Sequence, residues 1–127
     1  MNSEQPESVR SYRDLKVWQK AMDLAVDCWD FTEPFPRSEL FGSVSQIRNA
    51  SASIAANIAE GWGRNGDGEF ARFCDIAQGS RTELETHLIL SQRRRLASPE
   101  ATQPLLDRAD EVGRMLYAFT KSVRSGS

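Results

Sequence analysis

Residues 45–64 read SQIRNASASIAANIAEGWGR, and two helical stripes run through them at once. Val44, Ile47, Ser51, Ile54 and Ile58 recur at steps of three and four, which places them on one apolar seam of an α-helix. Gln46, Ala50, Ser53, Asn57, Glu60 and Arg64 follow a similar spacing and form a second face, small and polar. A helix with one greasy face and another free of bulk suits approach from two sides, as inside a bundle or between a bundle and a partner. The pattern stops at Gly61-Trp62-Gly63-Arg64-Asn65-Gly66-Asp67-Gly68, whose glycines make a loop rather than a helix interior.

Working outward, Ser38 reads as the N-cap of this helix, with Glu39 in its first turn and Leu40 opening the seam. Before it, Thr32-Glu33-Pro34-Phe35-Pro36 ends an earlier helix, because its prolines cannot continue one. That earlier helix begins with Asp14 as N-cap ahead of Leu15 and carries Trp18, Ala21, Met22, Ala25, Cys28 and Trp29. Downstream, Phe70, Phe73, Ala77, Ser80, Leu84, His87 and Ser91 set a third helix, from near Asp67 or Gly68 to near Arg93-Arg94-Arg95. Basic residues favour that C-terminal end of the helix dipole. Ser98-Pro99-Glu100 restarts the chain, with serine as cap and proline at the first helical position. Leu105, Ala109, Val112, Leu116, Phe119 and Val123 carry the fourth helix.

No stretch alternates with the period of two that marks strands. Short connections between long helices favour antiparallel neighbours. The expected fold is therefore all-α, an antiparallel up-down-up-down four-helix bundle over residues 12–124. Residues 1–11 are expected as a disordered polar leader and residues 125–127 as a disordered tail.

At 127 residues the chain holds one core. Its 39% hydrophobic and 27% charged content matches ordinary globular proteins. A net charge of -2 supplies no bulk attraction to nucleic acid or to an anionic membrane. No run approaches the roughly 18 apolar residues a membrane helix requires. The opening MNSEQPESVR lacks the apolar centre of a signal peptide, so a cytoplasmic location without membrane contact is expected. Cys28 and Cys74 form no CxxC pair and read as buried thiols. Lys16, Lys20 and Lys121 are the only lysines, so arginine supplies most of the 16 basic residues. Arginine suits fixed bidentate contacts, whether to phosphate or to the carboxylates of a neighbouring subunit.

Residues 12–24 (YRDLKVWQKAMDL), 35–64 (FPRSELFGSVSQIRNASASIAANIAEGWGR) and 69–88 (EFARFCDIAQGSRTELETHL) together resemble the 23S rRNA intervening-sequence protein family. The resemblance extends over nearly all of residues 12–123. It implies an antiparallel four-helix bundle that assembles into a homopentameric ring and has no established enzymatic activity. It also implies kinship with the accessory protein of diversity-generating retroelements, which partners a reverse transcriptase and nucleic acid. Many members carry two adjacent basic residues where this chain has Arg48-Asn49, which lessens the charge of that face.

Candidate sites follow from spacing. Gln46, Ser53, Asn57 and Glu60 on the second helix, with Ser80, Glu83 and His87 on the third, share faces and are expected to form a polar network that sets helix register. Glu60 is expected to pair with Arg64, and a ligand-accepting polar groove is the alternative. Gly79 lies in mid-helix at a cost of about 0.5–1 kcal/mol. Close packing against Ala50, Ser53 or Ala56 of the same subunit is the expected compensation. His87 is the single histidine and lacks the second Glu-x-x-His element of a di-iron bundle, so neither metal nor cofactor is expected. Gly61 to Gly66 lacks the Gly-Lys-Ser/Thr of a phosphate loop.

Arg93, Arg94 and Arg95, with Arg81 and Arg72 further up the helix, form the one basic concentration. A ring would multiply it into a collar able to contact RNA or DNA, with Arg48 and Arg64 as weaker contacts. Capping and ion pairing with Asp107, Asp110 or Glu111 is the competing account. Trp18, Trp29, Phe31 and Phe35 are core or, where exposed together, a docking surface. The expected function is a non-enzymatic homo-oligomeric adaptor with RNA or DNA contact through these arginines. The alternative is a protein-docking ring that binds a co-encoded partner and no nucleic acid.

Overall fold

Four α-helices carry the chain in the computed structural model, which describes residues 9–126: α1 (Lys16–Thr32), α2 (Ser45–Trp62), α3 (Asp67–Arg93) and α4 (Pro99–Gly126). Each helix packs on the next in sequence and α4 closes against α1, so α1 and α3 stand at diagonal corners. The protein is an all-α four-helix bundle, and the described residues contain no strand. Val44, Ile47, Ser51, Ile54 and Ile58 are all buried, as their spacing requires. They meet Val17 and Leu24 of α1, Leu84 and Leu88 of α3, and Leu105, Val112 and Leu116 of α4 in one continuous core.

Two helix starts differ from the expectation. Asp14 does not cap α1. It closes a capping box with Ser11 around a 3-10 turn, Tyr12–Asp14, accepting from the Ser11 and Arg10 amides. The fully buried Leu15 then turns the chain into α1 without a side-chain cap. Residues 9–11, placed in the leader from sequence, are tied down by this box and by Val9 against the core. Residues 1–8 of that leader and Ser127 of the tail lie outside the described residues.

Ser38 does not cap α2 either. A 3-10 turn, Arg37–Glu39, passes into a π-helical turn, Leu40–Val44, and α2 begins only at Ser45. Gly42 breaks the turn at φ -117° and ψ -110°. Contacts from elsewhere hold this segment: Phe35 is buried against Phe31, and Arg94 grips Glu39 and Ser43.

The close approach of α2 and α3 occurs at Gly61, not at Gly79. A β-carbon on Gly61 would fall 2.6 Å from Phe73 Cβ, whereas one on Gly79 would meet nothing within 4 Å. Gly79 sits on the outer side of α3, so the expected packing inside the subunit is absent there. Trp62 anchors the following loop edge-on against Phe70, with ring centroids 5.9 Å apart. Ser98 caps α4 by accepting from the Ala101 amide at 3.1 Å, and the helix then runs through Ser125 to Gly126, into the segment assigned to the tail.

Candidate interaction surfaces

The polar stripes of α2 and α3 condense into a small cluster. Ser53 and Ser80 hydroxyls meet at 2.8 Å, and the Asn57 amide donates to the Ser53 carbonyl and hydroxyl at 2.8 and 3.0 Å. This pins the register of the two helices where their side chains are short. Glu60 pairs with Arg64 at 3.0 Å. The side chains of Gln46, Glu83 and His87 make no hydrogen bond to another described residue, and Gln46 and Glu83 are exposed.

Most of the candidate arginines are already engaged within the subunit. Arg48 donates through Nε to Thr32 Oγ1 at 2.9 Å, through Nη2 to Glu33 at 3.2 Å, and lies over the Trp29 ring. Arg64 and Arg72 both stack on Phe73, and Arg72 forks onto Glu69. Arg81 faces α4, donating to Gln78 and Glu85, each at 2.7 Å. Gly113 makes room for it, because a β-carbon there would lie 2.4 Å from Arg81 Nε. Arg94 forks onto Glu39 at 2.8 and 2.9 Å, and its guanidinium holds that carboxyl below the usual carboxylate range.

Arg93 and Arg95 remain exposed without a partner among the described residues. Arg95 lies past the end of α3 at φ 63°, so it shares no helix face with Arg81.

A feature the sequence reading left unassembled lies between α1 and α2. An open apolar groove of about 500 Å³ is lined by Trp18, Met22, Val26, Trp29, Ala52 and Ala56. Met22 and Trp29 are 40% exposed and Val26 59%, although all three belong to an otherwise apolar wall. The available signal was the run Ala52, Ala55, Ala56 and Ala59, which shaves one side of α2 and leaves the large α1 side chains overhanging. On α3, Ile76, Ile89 and Leu90 are also exposed.

The remaining chemistry is muted. Burial pushes the Cys28 thiol up to about 12 and the Cys74 thiol to about 11, which keeps both protonated and weakly nucleophilic near neutrality. No group of three His, Cys, Asp or Glu side chains among the described residues could hold a metal ion. No described helix is long and apolar enough to cross a membrane.

The helices, their paired charges and their core together define an all-α four-helix bundle. The model of the 23S rRNA-intervening sequence protein family matches residues 13–118. The chain belongs to that family. It is also similar to a crystal structure from Bacteroides thetaiotaomicron, a protein with unknown function from the S23 ribosomal protein family. The two share 24% sequence identity at a TM-score of 0.74, over 83% of this chain and 98% of that one, a likeness that concerns the fold. No curated protein matches the chain.

Proposed function

We propose that this protein is a non-enzymatic structural subunit that associates with copies of itself and serves as an adaptor touching nucleic acid at its arginine-bearing end. The α1/α2 groove carries the proposal: apolar surface left open in a folded subunit is a cost that association removes. Exposed Ile76, Ile89 and Leu90 on α3 offer apolar surface apart from the groove, and a groove that meets a different surface of the next copy makes a head-to-tail contact. Head-to-tail contacts of that type close into rings when the rotation allows. Five copies is the number that the family resemblance implies.

For nucleic acid, Arg93 and Arg95 are the phosphate contacts of choice. Arg48, Arg64, Arg72, Arg81 and Arg94 would first have to leave carboxylates of their own subunit. A docking ring that binds only a co-encoded protein would use the same groove and leave Arg93 and Arg95 idle. A cytoplasmic setting suits two protonated, unpaired thiols.

The test is native mass by light scattering, at low and high salt, for the wild type and Val26→Glu. The expected wild-type mass is a multiple of the 14.3 kDa chain in both salts. Val26→Glu is expected to fall to the single-chain mass with its helical circular dichroism intact. A wild-type protein at the single-chain mass, or a variant with unchanged mass, would overturn the proposal.

A further inference from the structure

Tyr117 stands 66% exposed on α4, where two hollows between α3 and α4 meet. The hollows, of about 460 and 320 Å³, are both lined by Tyr117 and Gln78, so they form one trough along the two helices. Its floor is fixed. Gln78 donates to the Gly113 carbonyl at 2.7 Å and accepts from Arg81 Nε at 2.7 Å. Gly113 brings no side chain to fill the space above them.

Four cations line the trough, Arg81, Arg114, Lys121 and Arg124. Arg81 is held by Glu85 and Arg124 by Asp75, so these two frame the trough. Arg114 pairs with Asp110 at 3.1 Å, but both side chains are largely exposed and such pairs are weak. Lys121 is exposed and has no carboxylate partner among the described residues. Positions 114 and 121 lie three before and four after Tyr117, one turn to either side on the same helix face. An open aromatic ring is thus seated in a trough between two available cations, in a chain whose net charge is -2.

We propose that the trough binds a nucleoside phosphate, with its base stacked on Tyr117, its phosphate held by Lys121 and Arg114 on the other side of the ring. The site uses neither Arg93 nor Arg95 and goes beyond the function proposed above. Its ligand has to bring an anion and a flat π-face within one helical turn of each other. An acidic side chain supplies the charge alone and an apolar partner the face alone, whereas a nucleoside phosphate supplies both. That chemistry reaches the site as a free nucleotide or as one unit of a single strand.

The experiment is isothermal titration calorimetry of the full chain at low salt. The probes are adenosine monophosphate and a short oligo-adenylate strand, with adenosine, ribose phosphate and poly-glutamate as controls. The monophosphate is expected to bind more tightly than adenosine or ribose phosphate. Tyr117→Leu should weaken it about ten-fold with circular dichroism unchanged, and Tyr117→Phe should leave it near the wild type. Lys121→Gln should weaken both probes and flatten the slope of log affinity against log salt for the strand by about 0.7. A strand much tighter than the monophosphate makes single-stranded nucleic acid the source, and equal affinities make free nucleotide the source; either result supports the site.

No binding of monophosphate or strand, affinities indifferent to Tyr117→Leu, or equal binding of ribose phosphate would overturn the assignment. Poly-glutamate binding as tightly as the strand, and through Tyr117, would make the trough a protein contact and overturn it too. Strand binding that is lost in Arg93→Gln/Arg95→Gln but kept in Tyr117→Leu would overturn this site and leave the function proposed above standing.

Discussion

Replacing each of two helical glycines by alanine should move stability in opposite directions. Both Gly61 and Gly79 lie within helices, where alanine is favoured by about 0.5–1 kcal/mol. At Gly79 nothing stands within 4 Å of the new methyl, so the whole gain is realised. At Gly61 the methyl would meet Phe73 Cβ at 2.6 Å and the Phe70 carbonyl oxygen at 3.3 Å. Ordinary carbon contacts fall near 3.5–4.0 Å. A Cβ and a carbonyl oxygen cannot swing aside as a side-chain tip does, so α2 and α3 must separate. Overpacking of this kind costs about 1–3 kcal/mol, which leaves a net loss of about 1 kcal/mol at mid-range and up to about 2.5 kcal/mol after the helix gain.

For a chain of this length 1 kcal/mol corresponds to about 4 °C. Gly61→Ala should therefore melt about 4–10 °C below the wild type and Gly79→Ala about 2–4 °C above it. The assay is thermal unfolding followed by circular dichroism at one low protein concentration, because self-association ties Tm to concentration. A Gly61→Ala protein that melts at or above the wild type would refute the assigned helix contact. So would a Gly79→Ala protein that melts below it.

Arg48→Ala should cost about 1–2 kcal/mol in a urea melt, since it removes a charged hydrogen bond to the buried Thr32 hydroxyl and the cover over Trp29. Glu33→Gln should cost far less, because that carboxylate is largely exposed; equal losses would contradict this division. The buried thiols predict an alkaline weakness. Folding raises Cys28 to about 12 and Cys74 to about 11 from an ordinary 9.0, so the folded state holds their protons more tightly. That stability is complete below pH 9 and is lost as pH rises through 11 to 12. Replacing both thiols with alanine should flatten the fall of Tm between pH 9 and 12, and an unchanged slope would count against the burial argument.

Much of the architecture was legible because local rules and tertiary packing agree. The Ile47, Ile54, Ile58 seam had to be buried, the prolines after Thr32 had to end α1, and Ser98-Pro99 had to begin α4. The start of α2 was not legible. A favourable local cap at Ser38 was overridden by Arg94, which reaches Glu39 across 55 residues of sequence. The arginines divide in the same way. Arg64 with Glu60, and Arg81 with Glu85, are neighbours four apart in sequence, whereas the partner of Arg94 exists only once the bundle closes.

The sequence by itself determined the number of helices, most of their limits and the faces they bury, since periodicity and backbone chemistry act over a few residues. Only the tertiary structure decided which glycine admits a neighbour, because Gly61, which the sequence placed in the loop and the fold keeps in the last turn of α2, faces Phe73, while mid-helix Gly79 faces outward. It alone decided which arginines stay free and that an alanine stripe meets overhanging tryptophans to leave a groove. Those properties depend on helix rotation and on the meeting of distant segments, to which periodicity along the chain is blind.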